Sequence, residues 1–281
     1  MSTVRQEHIE AKDELSNESA KPSLHPIVKP LSISGLKKHF SVDVSTAHAD
    51  ILLLTCCLIS GLVDSTIYNA FGTFVSMQTG NTIFLGLGGS TSHSTLKPYG
   101  WSKSFLSITS FCLGCFCFSL TSRLLTPRRR STLTASFLLQ SLIIFVTASI
   151  IQGGVVNGSL NTIVQDINWR QLLPIALLSF QSAGQIVGSR VLGLAEVPTV
   201  VLTTMLHDIS TDPALLGPLR QNMKRNRRVL AFAGILLGAV AGGFIAEGTR
   251  RMQIPLWIAG GLKLCVASAW IVWPEQKVCA V

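Results

Sequence analysis

Phe74-Val75-Ser76-Met77-Gln78-Thr79-Gly80-Asn81-Thr82 is a polar, glycine-bearing break that follows an apolar run of membrane-spanning length. That run carries a single acid, Asp64. A second break, Val197-Pro198-Thr199-Val200-Val201-Leu202-Thr203-Thr204, follows a later apolar run, 124 positions on when Thr79 is set against Thr203. Two such interruptions at matching places in two hydrophobic halves describe a duplicated membrane protein. In transporters of that kind, paired broken segments mark the binding site.

The composition agrees. Of 281 residues, 48% are hydrophobic and 13% charged, where a soluble domain carries about 25% charged residues. Residues 1–50 hold 7 of the 14 acids and 6 of the 23 bases, so the remainder is poorer in acid still. The net charge of +9 does not point to nucleic acid. Its bases stand in short clusters between apolar runs, at Arg128-Arg129-Arg130, from Arg220 to Arg228, and at Arg250-Arg251, as in loops beside a bilayer. Six of the seven cysteines fall inside hydrophobic segments, where Cys acts as a small apolar residue. Cys112-x-x-Cys115 has no second pair or nearby His to complete a metal site. No metal or other cofactor is expected.

Residues 1–48 are rich in Ser, Lys and Glu and bury too little apolar surface to offset chain entropy, which predicts a disordered polar tail. This tail lacks the apolar core of a cleavable signal, so the first span is expected to act as an uncleaved anchor. Lys37, Lys38 and His39 just ahead of it favour a cytoplasmic N-terminus.

Six long apolar segments follow, at about 51–73, 104–126, 132–154, 171–194, 229–248 and 254–273, each near the ~20 residues a crossing helix needs. Two shorter stretches, about 75–89 and 197–210, suit re-entrant, broken or steeply tilted segments. The predicted fold class is all-α: a polytopic transmembrane helix bundle of two tandem repeats, each with three long spans and one short broken or re-entrant segment. The repeats are placed at 49–154 and 171–275. If the short segments do not cross, there are six spans and the halves are inverted. If they cross, there are eight and the halves are parallel. The Asn157-Gly158-Ser159 sequon leans toward an outside loop there. Gly234, Gly238 and Gly242, and Gly184 with Gly188, are small-residue ladders that let membrane helices approach closely.

A charge at the bilayer centre costs roughly +2.5 to +3.5 kcal/mol on insertion scales, so it turns inward and finds a partner. Asp64, Arg190, Lys263 and, nearer an end, Glu247 are such residues. Asp64 reads either as a coupling carboxylate or as one half of a fixed ion pair with Arg190 or Lys263. Lys263 reads as that partner or as a group that meets a substrate anion. The first break offers Gln78, Thr79, Gly80 and Asn81, and the second offers Pro198, Thr199, Thr203 and Thr204. Both sets are candidate solute contacts, set against bonding of the threonines to their own helices. Gln181 and Gln185 share a helix face with Gly184 and Gly188. Gln185 joins the candidate site.

Gly61-x-x-Asp64, Phe74-Val75 and Gln78-Thr79-Gly80-Asn81 resemble the YoaK-like membrane family, a domain of unknown function (DUF1275). Gly184-Gln185, Val197-Pro198-Thr199 and Leu202-Thr203-Thr204 are similar to that family's second signature. The likeness runs over roughly residues 50–275, and the polar tail is similar to that of fungal members. The chain departs from the family at Thr203-Thr204, where Thr-Gly is common. The resemblance implies about six spans and no settled activity.

The leading functional expectation is a small-solute transporter with no enzymatic activity. The alternative is a non-transporting membrane scaffold or assembly factor. A membrane-embedded enzyme fits less well, because no nucleophile, base and oxyanion donor assemble into one motif. The expected partners are the lipid bilayer and an unnamed small solute. Nucleic acid is not expected, and a homo-oligomer is left open.

Overall fold

The computed structural model describes residues 33–90, 100–157, 169–194, 196, 197, 199 and 202–276. The sequence readings on residues 1–32, on Gly158 and Ser159 of the sequon, and on Pro198 lie outside the described residues. The chain divides into two units, Met1–Lys37 and Lys38–Val281. The described part of the first is the opening of helix α1 (Ile33–Phe40). The second contains α2 (Ala49–Phe71), α3 (Gln78–Gly88), α4 (Gly100–Leu124), α5 (Arg130–Gln152), α6 (Leu172–Val191), α7 (Leu202–Ser210), α8 (Met223–Thr249) and α9 (Gln253–Val272). Among the described residues there are six helices long and apolar enough to cross a membrane. They are α2, α4, α5, α6 (with the 3-10 turn at Trp169–Gln171), α8 and α9.

Glycine sets how these helices approach. On α8, Gly234 rests on Leu54 and Cys57, Gly238 on Leu58 and Leu62, and Gly242 on Leu62 and Ser65. The numbers rise together, so α2 and α8 run parallel in backbone contact. Gly61 returns the contact against Ile235 and Ala239. By the same test α4 and α6 are parallel: Gly114 meets Phe180 and Ala183, and Phe118 meets Gly184. Between α5 and α9 the order reverses. Phe137 packs on Trp270, Ser141 donates to the Gly260 carbonyl, and Phe145 packs at a tilt on Trp257. Between α2 and α6 it reverses as well: Gln185 reaches Cys56, and Ser182 reaches Val75 beside Asp64. The six helices therefore alternate in direction along the chain.

The helix α2 thus packs on α8, α4 on α6, and α5 on α9. Within this frame a β-carbon at Gly238 has no room, because it would overlap the Leu58 carbonyl. Gly238→Val is expected to cost about 3 kcal/mol, read as a lower thermal midpoint in detergent. Gly243→Ala, which meets open space, is the neutral control.

One end of the bundle is tied by polar contacts. Arg227 pairs with Asp50 at 2.9 Å and Glu196 at 3.1 Å. Buried Arg130 donates to the carbonyls of His39 and Trp273, both at 2.7 Å. Short bridges join Asp43 to Arg129 and Val44 to Glu275. The helix α8 starts at Met223, six residues ahead of the predicted apolar run. Asn222 caps it, and Arg225 turns back to the carbonyls of Ala214, Leu215 and Gly217. Hydropathy alone misses these turns because they are basic.

Candidate functional site

Neither short helix crosses the bundle. The helix α2 ends at Gly72, whose φ of 70° suits a residue without a side chain. The chain then doubles back along α2. Val75 and Ser76 reach the level of Asp64, two helical turns inside. There α3 begins, and it returns outward until Gly88 meets Trp101 at the start of α4. Its 11 residues rise about 16 Å, well short of a crossing. A second short segment starts from the opposite end of the bundle. Gly193 (φ 73°) follows α6. Glu196 lies at the basic end on Arg227, and Thr199 lies deeper, with its amide toward Cys57. The helix α7 then returns to the basic end, where Asp208 meets Arg228 at 3.1 Å. Two re-entrant segments thus enter from opposite ends.

The first segment is held by a dense set of bonds. Oδ1 of Asp64 accepts the amides of Val75 at 2.8 Å and Ser76 at 3.0 Å, and Oδ2 accepts the Ser76 hydroxyl. Asn81 is buried and fully used. Its oxygen accepts from Thr73 at 2.9 Å and from the Phe74 amide at 3.0 Å. Its nitrogen donates to the Phe74 carbonyl, to Gln78 Oε1 and to Ser107. Ser107 in turn meets Ser179, and Ser182 donates to the Val75 carbonyl at 3.0 Å, so α6 braces this segment. Gly80 lies under the Phe74 ring, where a β-carbon would come within 2.9 Å. The Gln-Thr-Gly-Asn motif therefore builds the turn itself.

The second cluster centres on Lys263. Its side chain is 0% exposed and lies among α9, α2 and α6, beside Cys56 and Cys57. Its ammonium donates to Gln185 Oε1 and lies 5.6 Å over the Phe137 ring. Gln185 Nε2 donates to the Cys56 carbonyl at 3.0 Å and the Ser60 hydroxyl at 2.7 Å. No carboxylate among the described residues pairs with Lys263. The buried oxygens Thr199 Oγ1 and Gln181 Oε1 also lack a hydrogen-bond partner there. Thr199 takes a φ of 51°, unusual for a residue with a side chain. Between the two clusters runs a cleft lined by Ser60, Val63, Ser76, Gln181, Ser182 and Gln185, closed to a water-sized sphere.

Several expectations are corrected by this geometry. Asp64 pairs with neither Arg190 nor Lys263, because backbone amides reach it first. Arg190 is exposed in the last turn of α6, and Glu247 is exposed near the end of α8. Thr79, Thr203 and Thr204 point outward and are exposed. Gln78 is half-buried and bonds back to the Val75 carbonyl and to Ser107. The predicted residues that meet inside are Asp64 with the first segment, and Gln185 with Lys263 and, through Cys57, Thr199. Sequence reading passed over Ser60, Ser76, Ser107, Ser179 and Ser182. It also missed a register: Asp64 stands eight residues before Gly72, as Gln185 does before Gly193.

A family model described as a protein of unknown function (DUF1275) matches residues 52–269. The chain belongs to this family. No curated protein and no solved structure matches it. The six apolar helices make this DUF1275 member a multi-pass integral membrane protein whose helices face the lipid bilayer.

Proposed function

We propose that this protein is a small-solute transporter built from two inverted repeats, with its solute path along the closed cleft between Ser76 and Gln185. We take it as a YoaK-like member with a fungal-type tail and no catalytic activity. The observation that carries this reading is the pair of re-entrant segments, which enter from opposite ends and reach the two buried polar clusters. Irregular backbone at membrane depth persists where it is buried or lines a polar cavity. Half-helices ending near the midplane are a recurring way to build a solute site between inverted repeats. The packing of α2 on α8, matched by α4 on α6, supports the duplication. In this reading the closed cleft is the occluded state of an alternating cycle. Lys263 has no carboxylate partner among the described residues, and in this reading an anionic solute supplies its counter-charge on binding.

The basic end supports an orientation. It gathers Arg123, Arg128, Arg129, Arg130, Arg190, Lys224, Arg225, Arg227 and Arg228, against Lys103, Arg170, Arg250 and Arg251 at the other end. By the positive-inside rule the basic end is cytoplasmic, and the N-terminus with it.

The second reading is a static scaffold or assembly factor. It draws on the full use of Asn81 within its own segment, which leaves that side chain nothing to offer a solute. Cysteine labelling separates the two. In a background whose native cysteines are replaced, Ser182→Cys in sealed vesicles is expected to react with a charged, membrane-impermeant thiol reagent from both sides. Leu216→Cys, at a 98% exposed position, serves as the reactive control. If the control labels and Ser182→Cys stays unreactive from either face, the transport reading is lost and the scaffold stands.

A further inference from the structure

A groove of about 150 Å³ opens between α4, α5 and α6 at the basic end. Phe118, Leu125, Leu133, Leu139, Val187 and Val191 are among the side chains that line it. Three of its four hydroxyl groups, all but that of buried Ser122, are already engaged within the protein. Thr121 donates to the Cys117 carbonyl and Thr132 to the Leu125 carbonyl, both at 2.8 Å, and Ser136 accepts from Gln140 at 3.2 Å. What remains is hydrocarbon-like, and a cavity of that size with such walls stays dry and takes an apolar guest. Leu125 and Leu139 at its lip are exposed, so it opens sideways toward the acyl chains of the bilayer. A helix, about 10 Å across, is too wide for it.

The mouth of this groove is cationic. Arg128 follows the lining residue Pro127, and its Nε donates to the carbonyl of lining residue Val191 at 3.2 Å. That contact holds the guanidinium at the rim. Arg190 precedes Val191, Arg123 follows lining residue Ser122, and Arg129 follows Arg128. Unlike Arg130, Arg227 and Arg228, none of these four has a carboxylate in ion-pair range among the described residues. A guanidinium fork matches phosphate oxygens, and basic pockets between membrane helices hold anionic headgroups.

We propose that this groove is a binding site for one anionic phospholipid, with an acyl chain between α4, α5 and α6 and the phosphate on Arg128 and its neighbours. The site stands apart from the central cleft and does not depend on the transport reading.

Native mass spectrometry of the full chain tests it, after release from nanodiscs of equimolar phosphatidylcholine and phosphatidylglycerol. The wild type is expected to retain one phosphatidylglycerol in roughly tenfold preference over phosphatidylcholine. Arg128→Gln with Arg190→Gln, both at exposed positions, is expected to bring the two lipids to parity. Ser136→Trp fills the groove and is expected to remove the retained lipid, with the helical circular dichroism unchanged. If that variant does not fold, Leu139→Trp at the exposed lip serves the same purpose. Equal retention of both lipids by the wild type overturns the proposal. So does a phosphatidylglycerol preference that survives groove filling, because that is headgroup adsorption alone.

Discussion

Asp64→Ala is expected to lose about 3–5 kcal/mol of stability and to free the first re-entrant segment. The carboxylate accepts three hydrogen bonds, two from backbone amides and one from the Ser76 hydroxyl. Bonds to a charged group contribute about 1.5–3 kcal/mol each, and donors left buried without a partner add their own cost. The amides of Val75 and Ser76 have no alternative acceptor, because this stretch belongs to no helix or sheet. Asp64→Asn retains an oxygen for the amides and should cost less, about 1–2 kcal/mol. Ser76→Ala removes only the hydroxyl bond and should cost about 1 kcal/mol. Thermal unfolding in detergent ranks the three. Limited proteolysis between residues 73 and 90 tells local release from global loss, since a freed segment is cut while the six spans stay protected. An Asp64→Ala protein that melts like the wild type would show that the carboxylate does not clamp the turn.

That clamp shows why the chain could be read only in part. The six spans were legible because hydropathy over about 20 residues reports burial in lipid directly. The breaks were legible because glycine, threonine and amide side chains interrupt those runs. The role of each polar residue was not. Asp64, Asn81 and Thr79 look alike in a sequence, as polar groups at membrane depth. Yet Asp64 and Asn81 face inward onto backbone groups, and Thr79 faces out. That difference depends on helix rotation, which a uniformly apolar span hides because it has no polar face to set the phase. The serines were overlooked for a related reason. Their small hydroxyls commonly bond to their own helix in membrane spans, so Ser107 and Ser182 gave no sign of bracing another segment. The register of Asp64 with Gln185 was obscured by spacing. The return from Gly193 to Leu202 is three residues longer than that from Gly72 to Gln78. An alignment on the threonines therefore misplaces the helices by nearly one turn.

Lys263→Met is expected to leave the fold as stable as before, or more stable by about 1–4 kcal/mol, and, on the transport proposal, to remove anion flux. A fully buried ammonium carries a large desolvation cost that only well-placed partners offset. Lys263 has one amide oxygen and one aromatic face, for a group that carries up to three donors. Methionine fills a similar volume and carries no charge, so the exchange removes a cost and little else. The loss to Gln185 is limited, because its nitrogen stays bonded to Ser60 and the Cys56 carbonyl. A residue kept at an energetic cost in the centre of a span is the signature of a functional group. The sign of the stability change is therefore diagnostic. If Lys263 only holds the helices together, its removal lowers the thermal midpoint, as when one partner of a buried polar pair is lost. If it receives an anionic solute, the midpoint holds or rises. Flux in proteoliposomes, assayed with a panel of small carboxylates and inorganic anions, then falls to background for every anion the wild type carries. A variant that is destabilised and still transports would move the solute path away from Lys263 and leave that side chain a purely structural role.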